Sequence, residues 1–156
     1  MPPPVAVPRW IPRSEGPVAA WLDALVAALV AAVAVAVVVW LRAVAPDGRG
    51  YDTHVQLGLD PCSWPVTHGG PCPLCGCTTA ACHLVHGEPL RALQVQPFGA
   101  LVAAAGLLLG GAAGWSLLRG RSFVDFWLHL PRARLFVLGI VLLLLAWCYK
   151  WGTFAR

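Results

Sequence analysis

Five of the six cysteines in this 156-residue chain lie between Cys62 and Cys82. Cys72 and Cys75 form a Cys-x-x-Cys pair within this segment. Further soft donors follow at Cys77, His83 and His86. Thiolates and imidazoles are ligands that zinc prefers, and paired thiols can also exchange disulfides. The sequence therefore places the candidate chemistry of the chain in this one segment.

Metal binding is the first chemistry that this pattern indicates. Two thiolates two residues apart can bind one zinc ion and leave two positions for other ligands. A helix predicted over residues 78–86 makes Cys82 and His86 neighbours on one face, and Cys62 competes for the same ion. The predicted metal ligands are Cys62, Cys72, Cys75 and His86, with Cys77, Cys82 and His83 as alternative ligands.

Two other chemistries stay open, and a third is excluded. Cys72 and Cys75 precede a predicted helix start, where the helix dipole lowers a thiol pKa and favours thiol–disulfide exchange. No thioredoxin-like βαβ pattern surrounds the pair, however. Static disulfides that pin the loop are the other open interpretation. Covalent haem attachment is excluded, because Gly76 stands where that motif needs a histidine.

The composition indicates a membrane protein. Hydrophobic residues make up 58% of the chain and charged residues 12%, whereas a soluble domain carries about 25% charged residues. Lipid is therefore the expected partner, since so apolar a chain would expose large apolar patches in water. The net charge of +4 comes from arginines near the ends of apolar segments. Nucleic acid is not an expected partner, because no known binding pattern accompanies them.

The apolar runs predict an all-α integral membrane protein with three transmembrane helices. A proline-rich N-terminal tail over residues 1–17, expected to be extended, precedes a single membrane domain over 18–156. The spans are predicted at about 18–42, 98–118 and 133–150, near the roughly 20 residues that cross a bilayer. A Cys-rich loop over residues 45–97, with a short helix inside it, separates the first two spans.

An amphipathic, interfacial segment is predicted before the third span. Its apolar face consists of Phe123, Phe126, Trp127 and Leu130 at helical spacing. Asp125 and His129 are expected on a solvated polar face. Lys150, after the short third span, is expected to snorkel to the membrane surface.

Charge and glycine patterns predict the orientation and a packing face. The connection between spans two and three carries four arginines against Asp125 alone, which favours the cytoplasm for this connection. The Cys-rich loop then faces the extracytoplasmic side. Gly106, Gly110 and Gly114 recur every four residues and would let partner transmembrane helices approach closely.

The segment from Gly58 to Pro97 also carries a family resemblance. An early cysteine at Cys62 precedes the core Cys72-Pro73-x-Cys75-Gly76-x-Thr78, and Gly87-Glu88 and Gln96-Pro97 stand where relatives have Gly-Asp and Asn-Pro. This pattern resembles the small bacterial membrane proteins catalogued as domain of unknown function 2752. Thr79 departs from it, standing at the usual arginine position. The resemblance implies the bacterial inner (cytoplasmic) membrane and supplies no settled activity.

These observations predict a non-enzymatic accessory or scaffold protein. Its extramembrane cysteine knot would be stabilised by a metal, zinc being the expected cofactor. The alternative function is a membrane thiol–disulfide oxidoreductase in which Cys72 and Cys75 are the catalytic residues.

Overall fold

The computed structural model describes residues 10–154, so part of the predicted proline-rich tail, residues 1–9, lies outside the described residues. The described residues form helices and no β-strand, which confirms the all-α fold class. The helices are α1 Ala20–Arg42, α2 Trp64–His68, α3 Cys77–Val85, α4 Pro89–Val95, α5 Pro97–Arg119, α6 Phe123–Leu128 and α7 Arg132–Thr153. Short 3-10 turns occur at Arg13–Glu15 and Thr53–Leu57.

Three of these helices are long and apolar enough to cross a membrane. They are α1 with 23 residues, α5 with 23 and α7 with 22. Their bounds lie within three residues of the predicted spans 18–42, 98–118 and 133–150. The apolar runs of the sequence therefore coincide with the three long helices.

The chain forms two compact units. The first comprises residues 10–35 and 107–132 of the described chain, and the second comprises residues 36–106 and 133–154. The second unit contains the Cys-rich loop and the C-terminal part of α7.

The first unit is organised around the buried carboxylate of Asp23, which is 0% exposed. This carboxylate accepts hydrogen bonds from Ser122 Oγ at 2.8 Å, Val124 N at 2.9 Å, Arg13 Nε at 3.1 Å and Phe123 N at 3.2 Å. A buried charge is tolerated when it is paired and hydrogen-bonded in this way. Asp23 therefore fixes the start of α6 to α1, a role that the sequence did not reveal.

The stretch before α1 is also held by hydrogen bonds. Arg13 N donates to Gly120 O at 2.9 Å, and Ser122 N donates to Ile11 O at 3.0 Å. The Arg13 guanidinium also donates to Ser116 O at 2.9 Å. Residues 10–16 thus pack against the segment around α6.

Asp125 does not lie on a solvated face as expected. It is buried, as is Phe123. Its backbone N–H donates to Ser122 Oγ at 3.1 Å, because Ser122 caps the N-terminus of α6. Of the two polar residues, His129 is the exposed one, and its Nδ1 lies 2.8 Å from Asp125 O.

Of the three regularly spaced glycines in α5, one contacts another helix of the chain. A Cβ at Gly110 would overlap Ala34 Cβ in α1, so glycine is what permits this close helix approach. Gly106 and Gly114 have nothing within 4 Å of such a Cβ.

The second unit packs two short helices against the start of α5. Ala80 in α3, Ala92 in α4 and Ala100 in α5 form its buried cluster. A Cβ at Gly99 would lie 2.6 Å from Cys77 Cα, so this glycine lets α3 and α5 approach closely. The helix α3, predicted at 78–86, is observed at Cys77–Val85.

Candidate metal centre

Three cysteine sulfurs meet in the loop of the second unit. Cys62 Sγ lies 3.8 Å from Cys72 Sγ and 3.9 Å from Cys75 Sγ. All three sulfurs lie within 4.8 Å of one another. Disulfide sulfurs would be about 2.05 Å apart, and all six cysteines are unbonded. Thiolates about 2.3 Å from one tetrahedral zinc lie about 3.8 Å apart, so the spacing fits ligands that share an ion.

Cys72 and Cys75 are oriented by a tight local turn. Cys75 N donates to Cys72 O at 3.0 Å, and Cys72 N donates to Cys75 Sγ at 3.3 Å. Backbone N–H groups aimed at a sulfur stabilise it when it carries charge. The Cys-x-x-Cys spacing thus brings both sulfurs to the same side of one turn.

Gly76 allows the chain to leave this turn and enter α3. Its φ of +89° lies in the left-handed region that favours glycine. A Cβ at this position would also lie 2.6 Å from Gly50 O. Both the backbone angle and the close backbone contact therefore require glycine directly after Cys75.

Two side chains hold this turn, Trp147 from α7 and Gln96 from the junction of α4 and α5. Trp147 Nε1 in α7 donates to Pro71 O at 2.9 Å, and Gln96 Nε2 donates to Pro73 O at 3.2 Å. Gln96 is fully buried, and its Oε1 has no hydrogen-bond partner among the described residues. The Pro71–Cys75 turn is consequently held at both of its prolines.

Cys62 is brought to the pair by the preceding loop. Its backbone N–H donates to Asp52 Oδ1 at 3.4 Å, and Asp52 adopts a left-handed φ of 64°. The next residue, Thr53, is fully buried and its Oγ1 lies 2.8 Å from Thr79 Oγ1 in α3. This hydroxyl pair links the Cys62 loop to the helix that follows the Cys-x-x-Cys turn.

The surroundings of Cys75 favour a protonated thiol in the free protein. Burial raises the pKa of the Cys75 thiol to about 12, and the Cys72 side chain contributes in the same direction. Cys75 is only 4% exposed. The expectation of a lowered pKa is therefore wrong for Cys75. A metal ion binding here must displace the thiol proton.

Lys150 is a functional candidate that the sequence did not single out. Its ammonium is 4% exposed and donates to Gly50 O at 3.0 Å and Val95 O at 3.1 Å. The expectation that it snorkels is wrong, because loop carbonyls receive its hydrogen bonds. Burial raises the pKa of Cys77 to about 11, and the Lys150 charge acts in the opposite direction. The sequence feature that could have identified Lys150 is a single lysine at the end of an apolar run.

His86 and Cys82 neighbour each other but do not join the three sulfurs. Cys82 Sγ donates to Leu41 O and to Val44 O, both at 3.4 Å. His86 Nδ1 donates to Cys82 O at 2.8 Å. Cys82 thus attaches α3 to the end of α1, whereas His86 bonds back to α3 itself.

The two remaining alternative ligands also have other neighbours. His83 Nδ1 lies 2.6 Å from Glu88 Oε2, and this contact lowers the pKa of Glu88. Cys77 is packed beneath Gly99 of α5. Of the seven predicted ligands, the structure brings together Cys62, Cys72 and Cys75.

Comparison with known proteins identifies the segment that carries the cluster. Residues 62–110 match the family model described as Protein of unknown function (DUF2752), which confirms the resemblance seen in the sequence. The matched segment begins at Cys62 and ends within α5. No curated protein and no solved structure matches the chain.

Proposed function

We propose that this chain, with its DUF2752 segment, is a non-enzymatic accessory or scaffold protein whose extramembrane loop is stabilised by zinc. The observation that carries the proposal is the Cys62, Cys72 and Cys75 sulfur cluster, with separations of 3.8 and 3.9 Å from Cys62. Zinc binds such thiolates tightly, and a structural zinc contributes directly to folding free energy.

The loop has little regular secondary structure of its own. Between α1 and α3 it forms only the turn Thr53–Leu57 and the five-residue helix α2. An ion shared by Cys62 and the Cys72–Cys75 turn would tie these two parts of the loop together. This cross-link would restrict the unfolded loop as a disulfide does.

The proposed location is a bacterial cytoplasmic membrane, with the loop on the extracytoplasmic side. The α5–α7 connection holds Arg119, Arg121, Arg132 and Arg134, and such arginine-rich connections favour the cytoplasm. With three spans, the loop and the end of α7 lie on the same side. The hydrogen bond from Trp147 to Pro71 agrees with this topology.

The scaffold role rests on unused helix surface. Gly106 and Gly114 offer small-residue positions with open space around them, whereas Gly110 contacts Ala34 of the same chain. A partner transmembrane helix could approach closely at the two open positions.

Thiol–disulfide exchange through Cys72 and Cys75 is the competing function. It needs a thiolate nucleophile at neutral pH. Burial raises the pKa of Cys75 to about 12, which disfavours Cys75 as the attacking thiolate. Metal binding overcomes the same barrier by displacing the proton.

Metal analysis of the purified full-length protein tests the proposal. We expect about one zinc per chain in the wild type, loss of zinc in Cys75→Ala, and retained zinc in Cys148→Ala. Cys148 is the matched control, because it is an exposed cysteine outside the cluster. Metal-free wild type with a reducible Cys72–Cys75 bond would instead support the redox function.

A further inference from the structure

We propose that the zinc site is open, and that its fourth ligand is a thiolate from outside the chain. This inference rests on the proposed zinc site. Zinc in structural sites takes four ligands, whereas open sites keep one position for an exogenous group. Among residues 10–154, the group that could hold an ion contains only Cys62, Cys72 and Cys75.

The other nearby soft donors are engaged elsewhere. Cys82 donates to two backbone carbonyls at the end of α1, and His86 Nδ1 donates to Cys82 O. His83 is bonded to Glu88 at 2.6 Å. Moving any of these three to the cluster would break the contacts just given, and Cys77 lies against Gly99 of α5. Among residues 10–154, three ligands are therefore brought together.

The cluster is accessible from one side. Cys75 is buried at 4% exposure, whereas Cys62 and Cys72 are both partly exposed. An external group can therefore approach past Cys62 and Cys72, while the Cys75 side is closed by the protein.

The surroundings favour an anionic fourth ligand, and a thiolate is one. The Lys150 ammonium lies 3.1 Å from where a Cβ on Gly76 would be, directly after Cys75. Its positive charge interacts favourably with negative charge at Cys75 and Cys77. Three thiolates on zinc carry a net charge of −1, and the buried ammonium offsets part of the further charge that a fourth thiolate adds.

Cobalt substitution of the full-length protein in detergent micelles tests the open position. Thiolate-to-cobalt charge-transfer absorption should first report three sulfur ligands. Adding 2-mercaptoethanol at pH 8 should raise this absorption by about a third, since four thiolates replace three. His86→Ala should behave as the wild type does, before and after the thiol is added.

Three results would overturn the inference. One is bound cobalt whose spectrum the thiol leaves unchanged, which indicates a closed site. Another is a spectrum altered in His86→Ala before any thiol is added, which makes His86 the fourth ligand. The third is a larger response to imidazole than to thiol at equal concentration. Failure of the zinc proposal itself is distinct: cobalt would then give no charge-transfer absorption that Cys75→Ala abolishes.

Discussion

Replacing Gly76 with alanine tests whether the entry into α3 determines the affinity of the metal site. Gly76 has a φ of +89° and follows Cys75 directly. The added Cβ would lie 2.6 Å from Gly50 O and 3.1 Å from Lys150 Nζ. The variant therefore combines an unfavourable backbone angle with a steric overlap with Gly50 O and Lys150 Nζ, which are hydrogen-bonded to each other.

Gly58→Ala provides the matched control. Gly58 has a φ of +83°, and nothing lies within 4 Å of a Cβ placed there. Both variants lose about 1–2 kcal/mol from the left-handed backbone. Only Gly76→Ala also disturbs the hydrogen bond from Lys150 to Gly50 O, and a bond to a charged donor contributes about 2 kcal/mol. The two variants should thus differ by about 2 kcal/mol, or about thirtyfold in zinc affinity if loop folding and binding are coupled.

The difference can be measured by zinc competition with a chromophoric chelator in micelles. We expect Gly76→Ala to lose zinc at about thirtyfold lower chelator concentration than Gly58→Ala. Equal zinc affinities in the two variants would refute the reasoning, because the backbone angle alone would then account for the role of Gly76.

Two further predictions concern the helix contact and the pH dependence. Gly110→Leu should lower the thermal unfolding temperature in detergent, because overpacking against Ala34 costs about 1–3 kcal/mol. The control, Gly106→Leu, should leave this temperature nearly unchanged, since nothing lies near Gly106. The same Tm in both variants would argue against the contact. His83 lowers the pKa of Glu88 below its ordinary 4.5, so this carboxylate adds stability above that pH and loses it as the solution becomes more acidic. Thermal unfolding from pH 3 to pH 6 should therefore show a smaller acid-side loss in Glu88→Gln, and superimposable profiles would contradict the role of the ion pair.

Much of the fold can be predicted from the sequence, because a helix that crosses a bilayer must be about 20 residues long and apolar. The runs that became α1, α5 and α7 are apolar over nearly a full bilayer thickness, and their ends follow charged or turn-forming residues. Prolines at 89 and 97 likewise mark the limits of the short helix α4, Pro89–Val95.

The membership of the candidate metal site was harder to predict, because which cysteines meet depends on tertiary contacts. The Cys72 and Cys75 pairing is local, and its spacing alone indicates a shared ion. Choosing Cys62 over Cys82 depends on the buried Thr53–Thr79 hydroxyl pair, which joins positions 26 residues apart. No periodicity or motif encodes such a contact.

Charged residues at span ends were the other source of error. A lysine after an apolar run ordinarily extends to the membrane surface, yet Lys150 finds two loop carbonyls. Asp23 similarly finds donors about 100 residues further along the chain. In both cases the charged side chain forms hydrogen bonds with protein groups instead of water, and a single sequence does not identify those groups.

The hydrogen bonds from Trp147 to Pro71 and from Lys150 to Gly50 have a consequence for biogenesis. They join positions 76 and 100 residues apart, so the ribosome completes the cysteine loop long before it makes the helix that holds it. The two contacts with α7 therefore form only after α7 has been made and inserted. Oxidants encountered during that interval would compete with metal loading, and fast insertion of α7 would protect the site during synthesis.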